Sequence, residues 1–125
     1  MKLAIETHGA GQPLVLIHGM GSAATAWQPI IPTLAKQFSV VTIDLPGHGR
    51  TPYSPIQKMD PTSLAQLVLK NLKNIGIESF HLVANSLGGW VSFEIAVLNP
   101  AAVKSITALA PAGLWLTPFT SRYPG

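Results

Sequence analysis

Leu14-Val15-Leu16-Ile17 is apolar at four consecutive positions. Successive residues of a strand point to opposite faces, so a run of this kind needs cover on both sides. That is the situation of a central strand in a parallel sheet flanked by helices. A hairpin with one wet face would alternate apolar and polar residues instead. The rest of the chain repeats the theme. Ser39-Val40-Val41-Thr42-Ile43, Phe80-His81-Leu82-Val83 and Val103 to Leu109 read as further strands, and Lys2 to Thr7 alternates weakly as another. Segments of helical period separate them. Trp27, Ile30, Ile31 and Leu34 recur at helical spacing, while Pro29 and Pro32 force that helix to be short or irregular. Asp60-Pro61 offers an N-cap and a first-turn proline; Leu64, Leu67, Val68, Leu72 and Ile75 then share a face, and Gly76 supplies the stop. Leu87 to Leu98 is a third helical segment, ended by Asn99-Pro100, and Ala112 to Gly125 reads as loop. The order β-β-α-β-α-β-α-β predicts an α/β fold class. Its form is a doubly wound, mostly parallel sheet of about five strands with crossover helices.

In such a sheet, ligands gather at the carboxyl ends of the strands. Three short loops directly follow predicted strands and so converge on one rim: His18 to Gly21, Asp44 to Gly49, and Asn85 to Gly89. The strongest signal is Ala84-Asn85-Ser86-Leu87-Gly88-Gly89. A serine between strand and helix, with small residues two positions to either side, has the form of a nucleophile elbow. The turn is too tight for bulky neighbours, which accounts for Ala84 and Gly88. It lifts the hydroxyl above the sheet and sets the start of the next helix beneath it, where free N–H groups favour negative charge.

These loops, in this order and spacing, resemble those of the α/β-hydrolases, and the resemblance covers residues 2 to 110 almost continuously. Ala84 stands where that family commonly has glycine. His18-Gly19-Met20-Gly21 is similar to the family's oxyanion loop. The resemblance implies that the N–H groups of Met20 and Leu87 hold the developing oxyanion, each donor contributing ~3–4 kcal/mol. It makes Ser86 the nucleophile, with Gly19 and Gly21 in the substrate site and Trp115, beside Phe119, where the family inserts its lid. Asp44-Leu45-Pro46-Gly47-His48-Gly49-Arg50-Thr51 resembles a segment whose role in the family is mainly structural, with Asp44 bracing the loop as an acceptor. Serine at position 86 argues against the aspartate-using dehalogenases and epoxide hydrolases. Asn85 and Leu87-Gly88-Gly89 look most like carbon–carbon bond hydrolases of aromatic degradation, whereas the loops of His18 and His48 fit esterases and lactonases equally. Hydrolysis of an ester or related carbonyl substrate is the broader expectation.

A serine hydroxyl needs a base to take its proton and a carboxylate to orient that base. In the family both follow later strands. Here no histidine follows Gly89, and Glu94 is the only acid there. His81 lies on the same strand as Ser86, roughly 16 Å away at ~3.3 Å per residue, and His8 sits near the opening turn. His18 and His48 share the rim but resemble loop-shaping residues. Trp90, one turn past Ser86, reads as core before pocket. The 125 residues are thus expected to form the N-terminal portion of a single hydrolase domain, without the lid and last two strands. The chain alone is expected to be inactive. The alternative, from another class, is a non-catalytic binding or assembly module derived from a half-fold.

Composition agrees with a surface meant to be covered. The chain is 47% hydrophobic and only 10% charged, against about 25% in ordinary soluble domains. The last strand, Val103 to Leu109, would be an open apolar edge. The expected partners are therefore a small-molecule substrate and either a C-terminal half or a second copy along that edge. A net charge of +3 from scattered basic residues argues against nucleic acid. The chain has no cysteine, and neither metal nor organic cofactor is implied. The start is too short in apolar residues for a signal peptide, and Pro111 and Pro118 interrupt the late apolar stretch, so no membrane segment and a cytoplasmic location are expected.

Overall fold

The computed structural model describes residues 1–113. Five strands, β1 (Ala4–His8), β2 (Gln12–Ile17), β3 (Phe38–Asp44), β4 (Phe80–Asn85) and β5 (Val103–Leu109), form one sheet in the order β1-β3-β2-β4-β5. Pairs β3–β2, β2–β4 and β4–β5 are parallel, and β1 runs antiparallel to β3 with Ala4 opposite Asp44 and His8 opposite Val40. The apolar run at 14–17 occupies the central strand, as its two-faced pattern requires.

Alternation along β2 divides the core. Val15 and Ile17 join Val41, Ile43, Leu82 and Ala84 on one face, against Leu64, Leu67, Val68 and Leu72 of helix α2 (Pro61–Asn74) and Val91 and Ile95 of helix α3 (Leu87–Leu98). Leu14 and Leu16 face the other way with Val40, under Trp27, Ile31 and Leu34. That second cover is slight: a 3₁₀ turn at Ala24–Trp27 and one helical turn at Ile31–Leu34. Pro29 and Pro32 account for the break, since neither can donate to a continuous ladder. Helices on both faces make the sheet doubly wound.

Helix α2 is bounded as its sequence indicates. The Asp60 carboxylate accepts from the Ser63 N–H at 3.0 Å, and Pro61 occupies the first turn. The end is closed by Gly76 N–H to the Lys73 carbonyl at 3.0 Å and Ile77 N–H to that of Leu72 at 2.9 Å, the paired bonds of a Schellman stop. Strand limits differ most at β2. Gln12-Pro13, expected in the turn, already pairs with Phe38 and Ser39, because proline is tolerated near a strand's start.

Candidate active site

β4 ends at Asn85 and α3 begins at Leu87, leaving Ser86 alone at the junction. Its backbone is at φ 52, ψ −116, a region that non-glycine residues enter only when the surroundings hold them there. The hold comes from the end of β5 and the turn that follows it. The Ser86 N–H donates to the Leu109 carbonyl at 3.0 Å, and the Ser86 carbonyl accepts from Gly89 and Ala112 at 2.9 Å each. Ala110, at φ 43, turns the chain between those two contacts.

Close approach explains the small residues. A Cβ on Gly88 would stand 2.7 Å from the His18 carbonyl oxygen and nearer still to that of Ile17. The start of α3 therefore lies directly on the end of β2. A Cβ on Gly19 would meet the Ser86 Cβ at 3.2 Å, so the His18–Gly21 loop and Ser86 are in contact. The convergence expected of these two loops is present. Leu87 opens α3, and its N–H has no intrahelical acceptor. Among the described residues the Met20 N–H makes no backbone hydrogen bond, and Met20 is 63% exposed at the rim.

The loop that carries Met20 is braced by two imidazoles whose rings stand 5.0 Å apart. Leu45 N–H donates to Nε2 of His18 at 3.0 Å. That nitrogen therefore holds a lone pair, and Nδ1–H donates to the Gly19 carbonyl at 2.7 Å. Gly21 N–H donates likewise to Nε2 of His48 at 2.9 Å, whose Nδ1–H reaches the Pro46 carbonyl at 3.0 Å. Both rings are neutral in this arrangement. Burial pushes the His18 pKa down; its hydrogen bond to Gly19 opposes the shift, His48 adds to it, and Asp44 also opposes it.

Asp44 is buried, and its carboxylate is occupied by Ala24 N–H at 2.8 Å and Arg50 N–H at 3.2 Å. Thr51 Oγ1–H donates to the Asp44 carbonyl at 2.6 Å and accepts from Ala4 N–H at 2.9 Å. The segment from Asp44 to Thr51 is thus structural, tying β1, β3 and the Trp27 turn together. His81 lies at the far end of β4, bonded to Ser105 and Gln12, and His8 ends β1. Trp90 is half-buried, with Gly113 against its ring. Trp115 and Phe119 lie outside the described residues.

Sequence reasoning missed the clamp on Ser86 from Leu109 and Ala112, and the bond between Gly21 and His48. Each joins groups far apart in the chain and leaves no periodic signal. A cleft of about 1030 Å³ runs along β1 past Glu6, Gln28, Asp44 and Asn71, away from Ser86. Among the described residues no cluster of three or more His, Cys, Asp or Glu could hold a metal, and no helix is long and apolar enough to cross a membrane.

Known proteins show the same organisation. The chain is 40% identical over 104 residues to the dihydrolipoyllysine-residue acetyltransferase component of an acetoin cleaving system from Pseudomonas putida, covering 83% of this chain and 28% of that one. It is 38% identical over 104 residues to a pimeloyl-[acyl-carrier protein] methyl ester esterase from Legionella pneumophila, covering 83% and 40%. The fold matches that of a marine microorganism esterase with a TM-score of 0.81 at 28% identity, over 86% of this chain and 41% of that one. The chain spans less than half the length of each. Residues 12–122 match the family model of the alpha/beta hydrolase fold, and the chain belongs to that family.

Proposed function

We propose that these residues carry the nucleophile and oxyanion half of a serine hydrolase site that acts on an ester or related carbonyl substrate. Ser86 attacks the carbonyl carbon, and the N–H groups of Met20 and Leu87 receive the developing oxyanion. Gly19 and Gly21 leave room for the substrate. The observation that carries the reading is Ser86 held at φ 52 over the start of α3, with Gly19 against it. A strained serine so placed is the signature of an elbow, in which backbone strain presents the hydroxyl. The esterase relatives support an ester substrate.

The base and its carboxylate are assigned to polypeptide outside these residues, or to a partner that completes the fold. His18 and His48 are unsuited because both nitrogens of each ring are already bonded. Each would have to abandon the loop it braces to take a proton. Asp44 is similarly engaged by two backbone N–H groups.

The test compares the isolated chain with a chimera that joins residues 1–113 to the C-terminal part of the Legionella esterase. The isolated chain should turn over an activated ester no faster than its Ser86→Ala variant. The chimera should turn over, and Ser86→Ala should remove about 10⁴-fold or more of its kcat. Ser86-dependent turnover by the isolated chain would overturn the division of the site.

A further inference from the structure

A hydroxyl–imidazole pair lies at the other end of β4, on the face opposite α2 and α3. His81 stands between Gln12 of β2 and Ser105 of β5. Its Nδ1 is 2.7 Å from Ser105 Oγ, its Nε2 is 2.9 Å from Gln12 Oε1, and all three side chains reach solvent. Phe38 meets the ring edge-on, with centroids 6.1 Å apart.

A third group settles which nitrogen carries the proton. Lys104 Nζ stands 3.4 Å from the same Gln12 oxygen. An ammonium only donates, so the amide turns its oxygen toward both neighbours. Nε2, facing that oxygen, must carry hydrogen. Nδ1 then holds the lone pair, and Ser105 Oγ–H donates to it. The direction of the chain is hydroxyl to imidazole to carbonyl oxygen. In this order a base can take a serine proton while a second acceptor fixes its tautomer.

The position of Lys104 is itself unusual. Strict alternation would send Lys104 and Ser105 to opposite faces. Phe80 pairs with Val103 and His81 with Ser105, which leaves Lys104 as the extra residue of a bulge. Bulges re-aim side chains and are common beside active sites. This one brings a cation to the same cluster, where it favours negative charge on an attacked carbonyl oxygen.

We propose that Ser105 is a second nucleophile of this chain, activated by His81 and able to accept an acyl group from an activated ester. Ser105 Oγ attacks the acyl carbon, the Oγ–C bond forms and the ester C–O bond breaks. The serine proton passes to His81 Nδ1 and then to the departing alcohol, leaving acyl-Ser105. The cluster shares no residue with the Ser86 site and does not depend on its reading.

The 125-residue chain is incubated with p-nitrophenyl acetate, released p-nitrophenol is followed, and acetylated residues are located by peptide mass mapping. Ser105 should be acetylated in the wild type and equally in Ser86→Ala. The rate at Ser105 should fall about 100-fold in His81→Gln. Gln12→Glu, which sets a carboxylate against Nε2–H, should raise it roughly threefold or more, a gain that misfolding cannot imitate. An unmodified Ser105, a rate indifferent to His81→Gln and Gln12→Glu, or loss of the label in Ser86→Ala would each overturn the proposal.

Discussion

The N–H of Gly21 donates to Nε2 of His48 at 2.9 Å, and this bond couples the loop after β2 to the loop after β3. Met20 immediately precedes the donor. The course of the Gly19–Gly21 backbone, in which Gly19 lies against Ser86, is therefore set partly by a side chain 27 residues downstream of Gly21. His48 is in turn fixed by its own bond to the Pro46 carbonyl, so the brace is built from loop backbone at both ends.

His48→Phe keeps a planar ring but removes the acceptor. Loss of one such bond is worth about 1 kcal/mol, so amide exchange at Gly21 should quicken by roughly fivefold. His48→Gln, which can offer an oxygen, should restore part of the protection. Unchanged exchange at Gly21 in His48→Phe, followed by NMR, would show that the loop holds itself.

His18 makes stability depend on pH. Its folded pKa lies below the ordinary value, so below about pH 6.5 the unfolded chain binds more protons than the native one. Stability should then fall as pH falls through the window between that ordinary value and the lowered native one, and be fully present above it. Urea unfolding at pH 7.5 and across pH 6.5 to 5 measures the slope. His18→Asn should reduce that slope, and an unchanged slope would place the dependence elsewhere.

Ser86 should cost the chain stability through its backbone. Strain of this type is about 1–3 kcal/mol, and glycine relieves it at an entropy cost of about 0.5–1 kcal/mol. Ser86→Gly should therefore be more stable than Ser86→Ala by about 1 kcal/mol in denaturant unfolding. Equal stabilities would mean that φ 52 is tolerated there without strain.

Among the described residues strand β5 ends the sheet, and Leu109 on it is 48% exposed. An unpaired edge recruits further strands, and a lysine on it opposes them. The chain should associate with rising concentration in sedimentation velocity, and Thr107→Lys should weaken that association about tenfold. A wild type that stays monomeric at high micromolar concentration would rule out the edge as a template.

How far the sequence reaches can be seen at particular residues. Leu14 to Ile17 announced a central strand, and it is central. Asp60-Pro61 and Gly76 marked both ends of α2, and Ala84, Ser86 and Gly88 marked the tight junction of β4 with α3. In each case the information is local, because strand and helix periods repeat within a few residues and caps act within one turn. At Gln12-Pro13 local reading stopped short, since pairing with β3 extended the strand through what reads as a turn.

What the sequence determined by itself was the alternation of strands and helices, the rim on which three loops meet, and a serine at a junction too tight for large neighbours. Tertiary structure alone decided which groups hold that serine and how the histidines are engaged. The Leu109 carbonyl and the Ala112 N–H reach Ser86 only because β5 lies beside β4. The tautomers of His18, His48 and His81 follow from partners that parallel crossovers bring together from distant segments. Periodicity is encoded along the chain, but a hydrogen-bond partner is chosen by proximity in space, and for each of these rings that partner comes from another strand or loop.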